Sequence, residues 1–423
     1  MPTIGVRLTS WHFKNSFKRS IVDKNGKTLV KRRTERRIPP NASFTDGVAT
    51  KDCVINPMSG VSVRIFLPED CLGVQTPSKM PKAFSWLPEE VVVFENNSEI
   101  TSLYKEEIFD AKTSSMHLNC GIQKYEEIEP GKAYLPGKNV QHVKLPVIIE
   151  FHDGAFIDGS KDSQANEIFC RRLAKACRSV VIAVGYSLAP EHKYPCARDD
   201  GVETLRWLAK QASLVIFSSG SWHSSEGLID SFGYMLADPW ITAHVDYSRC
   251  VLLGAGAGGN IAEQVAREVK SLSMELEPIK IVAQVLICPL FGGVEPLPSE
   301  VLLADTYFLD RETMALVWKL VVPESENYPD HPAVDPLCPS QVHLLQSMPS
   351  TLVVSAELDM LRDRSAAYVD ALRRQHVDAT FLTYRNAVHS FATLESLMDT
   401  KPAQACLEDI AIWFGRHVLK DWN

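Results

Sequence analysis

The sequence predicts an α/β fold, a doubly wound and mostly parallel sheet with helices on both faces. Apolar runs of four to eight residues, rich in Val, Ile and Leu, recur from residue 144 to the C-terminal region without the alternation of a half-exposed strand. Strands buried on both faces read this way. Amphipathic stretches separate the runs, and a strand–helix–strand rhythm implies crossover connections and a parallel sheet. The residues just past the runs include histidines, aspartates and a glycine-rich turn, and the C-terminal ends of such strands are where chemistry collects.

In chain order, Ile4, Leu8, Trp11, Phe17 and Ile21 fall near helical spacing, with Arg7, Lys14 and Lys18 off the stripe. Residues 1–45 are therefore expected to form a helical lid or cap, and residues 46–423 the main domain. SVRIFLPED (62–70) reads as an alternating strand ending in turn residues. Residues 71–143, rich in Pro, Gly, Ser and Asn, read as a long insertion. The strands expected next lie in KLPVIIEFHDGAF, SVVIAVGYSLAP, RCVLLGAGAG, IVAQVLICPL, STLVVSAELD and ATFLTYRNAVH. Helices are expected in NEIFCRRLAKAC and NIAEQVAREVKSL, where Ile261, Val265 and Val269 share a face. A second insertion, Ser- and Gly-rich, is expected at about 212–232.

Composition narrows the function. A net charge of −8 argues against nucleic acid as the partner. No run of eighteen apolar residues is present, so no membrane span is expected. The ten cysteines show no CxxC pairing, and Cys170 and Cys177 merely share a helix face, so reduced thiols in a cytoplasmic or nuclear protein are expected. Histidine spacing gives no metal motif, and neither a metal nor a cofactor is expected. Gly254, Gly256 and Gly259 superficially satisfy a dinucleotide-binding turn. The acidic residues at the right distance, Glu275 and Glu277, precede the next strand instead of ending it, which removes that reading.

The residues after the strands are His152-Asp153-Gly154-Ala155, Tyr186-Ser187, Gly254 to Gly259, Pro289-Leu290, Asp359 and His389. A glycine-rich elbow, then an acid, then a histidine is the chain order of an α/β-hydrolase triad. DGVATKD (46–52), SLAPEHKYPCARDDG (187–201), SAELDMLRDR (355–364) and AVHSF (387–391) complete the pattern. With these blocks the sequence resembles the plant carboxylesterases of the hormone-sensitive-lipase group, which includes the gibberellin receptors. The resemblance implies an α/β-hydrolase fold, His389 as general base and Asp359 as its orienting acid. Asp363 is the competing carboxylate, and the helix-starting character of MLRDR assigns it to a cap or the surface. The resemblance also places the oxyanion donors around residues 153, 154 and 257.

Two departures stand out. The elbow reads Gly254-Ala255-Gly256-Ala257-Gly258, with Gly256 where the resemblance puts the nucleophilic serine. The His-Gly-Gly-Gly motif becomes His152-Asp153-Gly154-Ala155, which adds a carboxylate beside the oxyanion site. Removing the serine of a triad lowers kcat by roughly 10⁶, and the residual catalysis relies on an intact oxyanion hole. Serine-esterase turnover is therefore expected to be lost or strongly impaired, with a pocket for a small apolar or ester-like ligand retained. The alternatives are a non-canonical hydrolase, dehydratase or lyase using His389 as general base, a small-molecule receptor, and a relic with no task.

Overall fold

The computed structural model describes residues 35–72, 132–137, 142–220, 237–326 and 328–419, with shorter stretches within 5–32 and at 91–93. Most of the expected insertion at 71–143 lies outside the described residues. So does the end of the second insertion, and its first part is a correction: Cys196–Gly220 is one continuous helix. Ala212 within it is 2% exposed, docked on the body, and the helix runs on past Leu214 although Val, Ile and Phe are weaker helix formers.

The main sheet has nine strands. They are β3 (Val48–Val54), β4 (Ser62–Pro68), β5 (Val91–Val93), β6 (Leu145–Phe151), β7 (Val180–Gly185), β8 (Val245–Ala255), β9 (Ile281–Ile287), β10 (Ser350–Ala356) and β11 (Ala379–Tyr384). A separate hairpin joins β1 (Ile21–Lys24) to β2 (Lys27–Val30). The sheet order is β3-β4-β7-β6-β8-β9-β10-β11-β5, with the six strands from β7 to β11 parallel and the edges antiparallel. Every residue of β6 is buried, Glu150 included.

The connections fix where a site can form. From β6 the chain crosses through α1 (Gln164–Ala176) to β7 on one side. From β8 it crosses through α2 (Ala257–Val269) to β9 on the other. Right-handed crossovers running in opposite directions put their helices on opposite faces. The reversal falls between the neighbours β6 and β8, so a crevice opens at their C-terminal ends. Their register pairs Phe151 with Gly254, and both strands end at the same level.

Two expectations need correction. Strand β4 does not alternate: six of its seven residues are buried, Arg64 among them. The Arg64 guanidinium is satisfied there by Asp52 at 2.7 Å and Glu167 at 3.0 Å, which lets an apparent surface residue lie inside. The N-terminal stripe also differs. A helix runs from residue 5, but Leu8 is 63% exposed and Ile21 belongs to β1. Val6 packs against the core, and polar contacts join it. Ser10 Oγ accepts from the Phe308 N–H at 2.7 Å, and Lys14 lies 3.5 Å from Asp310. Of the other stripe residues, Ile4, Trp11 and Phe17 lie outside the described residues.

Candidate active site

Strand β8 ends in a turn that only glycine can build. A Cβ on Gly254 would lie 2.1 Å from the Gly258 carbonyl oxygen, and one on Gly258 only 1.9 Å from that of Phe151. The Gly-x-x-x-Gly spacing is thus a packing requirement between β8, the first turn of α2 and β6. Gly256, at the apex between strand and helix, has φ 52° and ψ −117°. This strained elbow conformation would lift a side chain into the crevice. The three atoms nearest a Cβ built there all belong to the Asp153 side chain. Such a Cβ would lie 2.0 Å from Oδ1 of Asp153 and 2.5 Å from its Cγ.

Asp153 therefore points inward and fills the space above Gly256. Its carboxylate is held at both oxygens. Oδ1 accepts from the Gly154 N–H at 2.7 Å, and Oδ2 accepts from the Ser390 hydroxyl at 2.6 Å. The turn beneath it is tight: Gly154 has φ 137°, Ala155 φ 53° and Phe156 φ 64°. A Cβ on Gly154 would approach the Asp158 carbonyl to 1.9 Å, so this glycine is obligatory. His152 anchors the turn from below. Its Nδ1 bonds the Asp153 carbonyl at 2.7 Å, and its ring stacks on Tyr186 at 4.2 Å. Burial pushes the His152 imidazole down to about 4, so it is neutral and serves as a positioning group.

Strands β10 and β11 deliver the partner pair. Asp359 follows β10 and His389 follows β11; both are buried, and His389 Nδ1 lies 2.8 Å from Asp359 Oδ2. The other Asp359 oxygen accepts from the Leu361 N–H at 3.0 Å. Burial pulls the His389 pKa down, but Asp359 and, more weakly, Asp153 outweigh it and raise the value. Asp363 stands apart: it accepts from the Ser299 N–H at 2.9 Å and pairs with Arg362, at the start of helix α3 (Arg362–Arg374). The acid assigned to the histidine in the sequence is the one the fold places beside it.

A cavity of about 100 Å³ opens over these groups, lined by His152, Asp153, Gly154, Ala155, Leu290, Leu309, His389 and Ser390 among others. Glu35 and Asp158 also face it, and no Lys or Arg lines it among the described residues. Sites for drug-sized ligands run to roughly 300–1,000 Å³, so this one suits a small molecule. Ala257 sits at the first position of α2, where the backbone N–H has no intrahelical partner.

Sequence reasoning missed two residues. Ser390, next to the histidine, is the hydroxyl that fixes Asp153. Cys288, the residue following β9, brings its thiol within 4.8 Å of ligand atoms of Asp359 and His389. The rule that directs attention to strand ends covers Cys288; nothing in local sequence points to Ser390. Burial and the nearby carboxylates push the Cys288 thiol well above its ordinary range, so it is a neutral neighbour of the pair.

Residues 148–393 match the family described as having the alpha/beta hydrolase fold. Probable carboxylesterase 16 of Arabidopsis thaliana is 42% identical, over 99% of this chain and 98% of its own. A gibberellin receptor of Oryza sativa subsp. japonica is 29% identical, over 86% of this chain and 84% of its own. Among solved structures, a Rhizomucor miehei esterase superposes with a TM-score of 0.59 at 20% identity, covering 96% of this chain and 90% of that one. No helix among the described residues is long and apolar enough to cross a membrane. A nine-stranded sheet with its site at the reversal of strand order, together with relatives aligned end to end, establishes the lineage: the chain belongs to the α/β-hydrolase family, in its carboxylesterase and gibberellin-receptor-like group.

Proposed function

We propose that this carboxylesterase-like protein does not hydrolyse esters through a serine and keeps its cavity for a small, apolar, uncharged or cationic ligand. One observation carries the reading: the Asp153 carboxylate occupies the space above Gly256 and draws the Gly154 N–H to itself. A nucleophilic hydroxyl is missing, and an oxyanion donor is engaged by a fixed negative charge. The carboxylates of Glu35, Asp153 and Asp158 disfavour an anionic ligand, and the volume disfavours a bulky one. Residues 1–45 fit the role of a lid, since Ser10 and Lys14 dock beside Leu309, which lines the cavity.

The test is hydrolysis of p-nitrophenyl butyrate together with labelling by a fluorophosphonate. The wild-type protein should give turnover at the buffer rate and no covalent label. The intact Asp359–His389 pair favours one second reading, in which His389 activates water directly. Turnover by the wild type that disappears in His389→Ala, without labelling, would establish that reading and overturn the first.

A further inference from the structure

Asp153 puts a carboxylate where the fold would present a hydroxyl, within the same cavity as His389. Such an oxygen cannot replace serine on an ester. Attack on an acyl carbon would give an anhydride, whose carboxylate leaves more readily than the alkoxide, so the adduct reverts. Attack on a saturated carbon gives instead an ordinary ester, which is stable until water is activated against it.

The geometry points to Asp153 as the nucleophile of an alkyl-transfer hydrolysis whose substrate is a small terminal epoxide. The inference rests on the reading that serine chemistry is absent and the cavity is open to a small apolar molecule. Asp153 Oδ2, which accepts from the rotatable Ser390 hydroxyl, forms a bond to the epoxide carbon as the ring C–O bond breaks. The resulting alkoxide takes its proton from the His389 imidazolium, leaving a hydroxyalkyl ester on Asp153 and a neutral His389. Neutral His389 then removes a proton from water, and the hydroxide attacks Cγ of Asp153. Oδ1 becomes the oxyanion of that step, and the Gly154 N–H is already bonded to it at 2.7 Å. Collapse expels the diol oxygen, which is protonated by His389. The new carboxylic acid returns its proton to His389, restoring both groups, so the net reaction is epoxide plus water to diol. No oxidant, metal or further reactant enters.

Three features of the site agree with this assignment. The carboxylates flanking His389 raise its pKa, which favours the imidazolium the first step needs. The apolar Ala155, Leu290 and Leu309 suit a hydrocarbon tail, and about 100 Å³ suits a short one. An alkyl halide is less well served, because no Trp, Lys or Arg among the described lining residues offers the departing halide a strong donor.

The full chain is tested with 1,2-epoxybutane. Wild type should form the diol. A single turnover in isotopically labelled water should place the heavy oxygen in the Asp153 carboxylate and leave the first diol unlabelled. His389→Ala should accumulate a mass increase of one epoxide, on the peptide containing Asp153. Asp153→Ala should show no adduct and lose diol formation by at least about 10³-fold. Heavy oxygen found only in the diol, or no diol and no adduct in the wild-type chain, would overturn the assignment. The labelled-water experiment needs no variant, so an unstable His389→Ala cannot blur the outcome. Ester turnover or fluorophosphonate labelling would strike the preceding proposal instead, so the two failures are told apart.

Discussion

Returning a serine to position 256 should not by itself restore an esterase. In Gly256→Ser the new Cβ would sit 2.0 Å from Asp153 Oδ1, 2.5 Å from Cγ and 2.9 Å from Oδ2. Ordinary contacts begin at about 3.4 Å, so the carboxylate must swing away and release both donors, Gly154 N–H and Ser390 Oγ. Hydrogen bonds to a charged acceptor are worth about 1.5–3 kcal/mol each. Asp153 is only partly buried, which argues for the low end, about 3 kcal/mol for the two. Serine at φ 52° adds about 1 kcal/mol. With an unfolding entropy of about 2.1 cal/mol/K per residue, a loss of about 4 kcal/mol over 423 residues lowers Tm by about 4–5 °C.

The double variant Asp153→Gly/Gly256→Ser removes the obstruction and frees the Gly154 N–H while leaving His389 and Asp359 in place. It should stay below the wild-type Tm, since both hydrogen bonds to the carboxylate are still lost and serine keeps its φ at 256, but it should react with a fluorophosphonate. It should also hydrolyse p-nitrophenyl butyrate at least about 10²-fold faster than Gly256→Ser, the worth of one regained oxyanion donor. Differential scanning fluorimetry and the ester assay on the three proteins decide the matter. If Gly256→Ser alone matched the wild-type Tm and equalled the double variant in labelling, the carboxylate would not occupy that space, and the reasoning would fail.

Other perturbations follow from the same physics. Glu150 lies fully buried in β6 and is pushed up to about 7 by desolvation, with donors from Asn166 (3.1 Å) and Cys170 (3.4 Å) drawing it partly back. Its folded pKa exceeds the unfolded value of about 4.5, so its contribution is complete below that and is lost as pH rises toward 7. Glu150→Gln, read by urea melts, should therefore gain up to about 3 kcal/mol over wild type at pH 8 and nothing at pH 4.5; an unchanged gap would refute the assignment. Asp359→Asn should destabilise the fold most in acid, where the buried His389 loses the carboxylate that favours its charged form. Because the His389 pKa is raised in the fold, that stabilisation is complete below about 6.5 and fades above the raised value, so the deficit should narrow in alkaline melts. Gly258→Ala should fail to yield folded protein in an expression and circular-dichroism test, since a Cβ 1.9 Å from the Phe151 carbonyl cannot be accommodated.

The parallel strands were legible because burial on both faces writes an unbroken apolar run, and the strand-end rule then located His152, Asp153, Gly256, Asp359 and His389. Strands β3 and β5 were not, because edge strands are defined by their partners; Val91–Val93 pairs antiparallel with β11 from within an apparent insertion. Arg64 inside β4 was equally hidden, since its neutralising partners come from another strand and a helix. Within the site, the sequence presents Gly256 and Asp153 as separate departures from the pattern of the family it resembles. Only the Phe151–Gly254 register and the φ of 137° at Gly154, set by a backbone approach invisible in sequence, turn them toward one another.

That geometry makes the two departures a single structural change. A carboxylate at 153 fits in its observed place only if residue 256 has no Cβ, and a side chain at 256 fits only if the carboxylate leaves. A side chain cannot be placed at 256 alone without the losses worked out above. The site is therefore held in its present form by stability as well as by chemistry. Hydrogen bonds from Gly154 and Ser390 to Asp153 are favourable native contacts, not remnants of a damaged machine. A decayed site would be expected to leave a void or an unsatisfied carboxylate above Gly256. A glycine at one strand end beneath a carboxylate that is hydrogen-bonded at both oxygens from its neighbour is the arrangement a site organised around Asp153 requires.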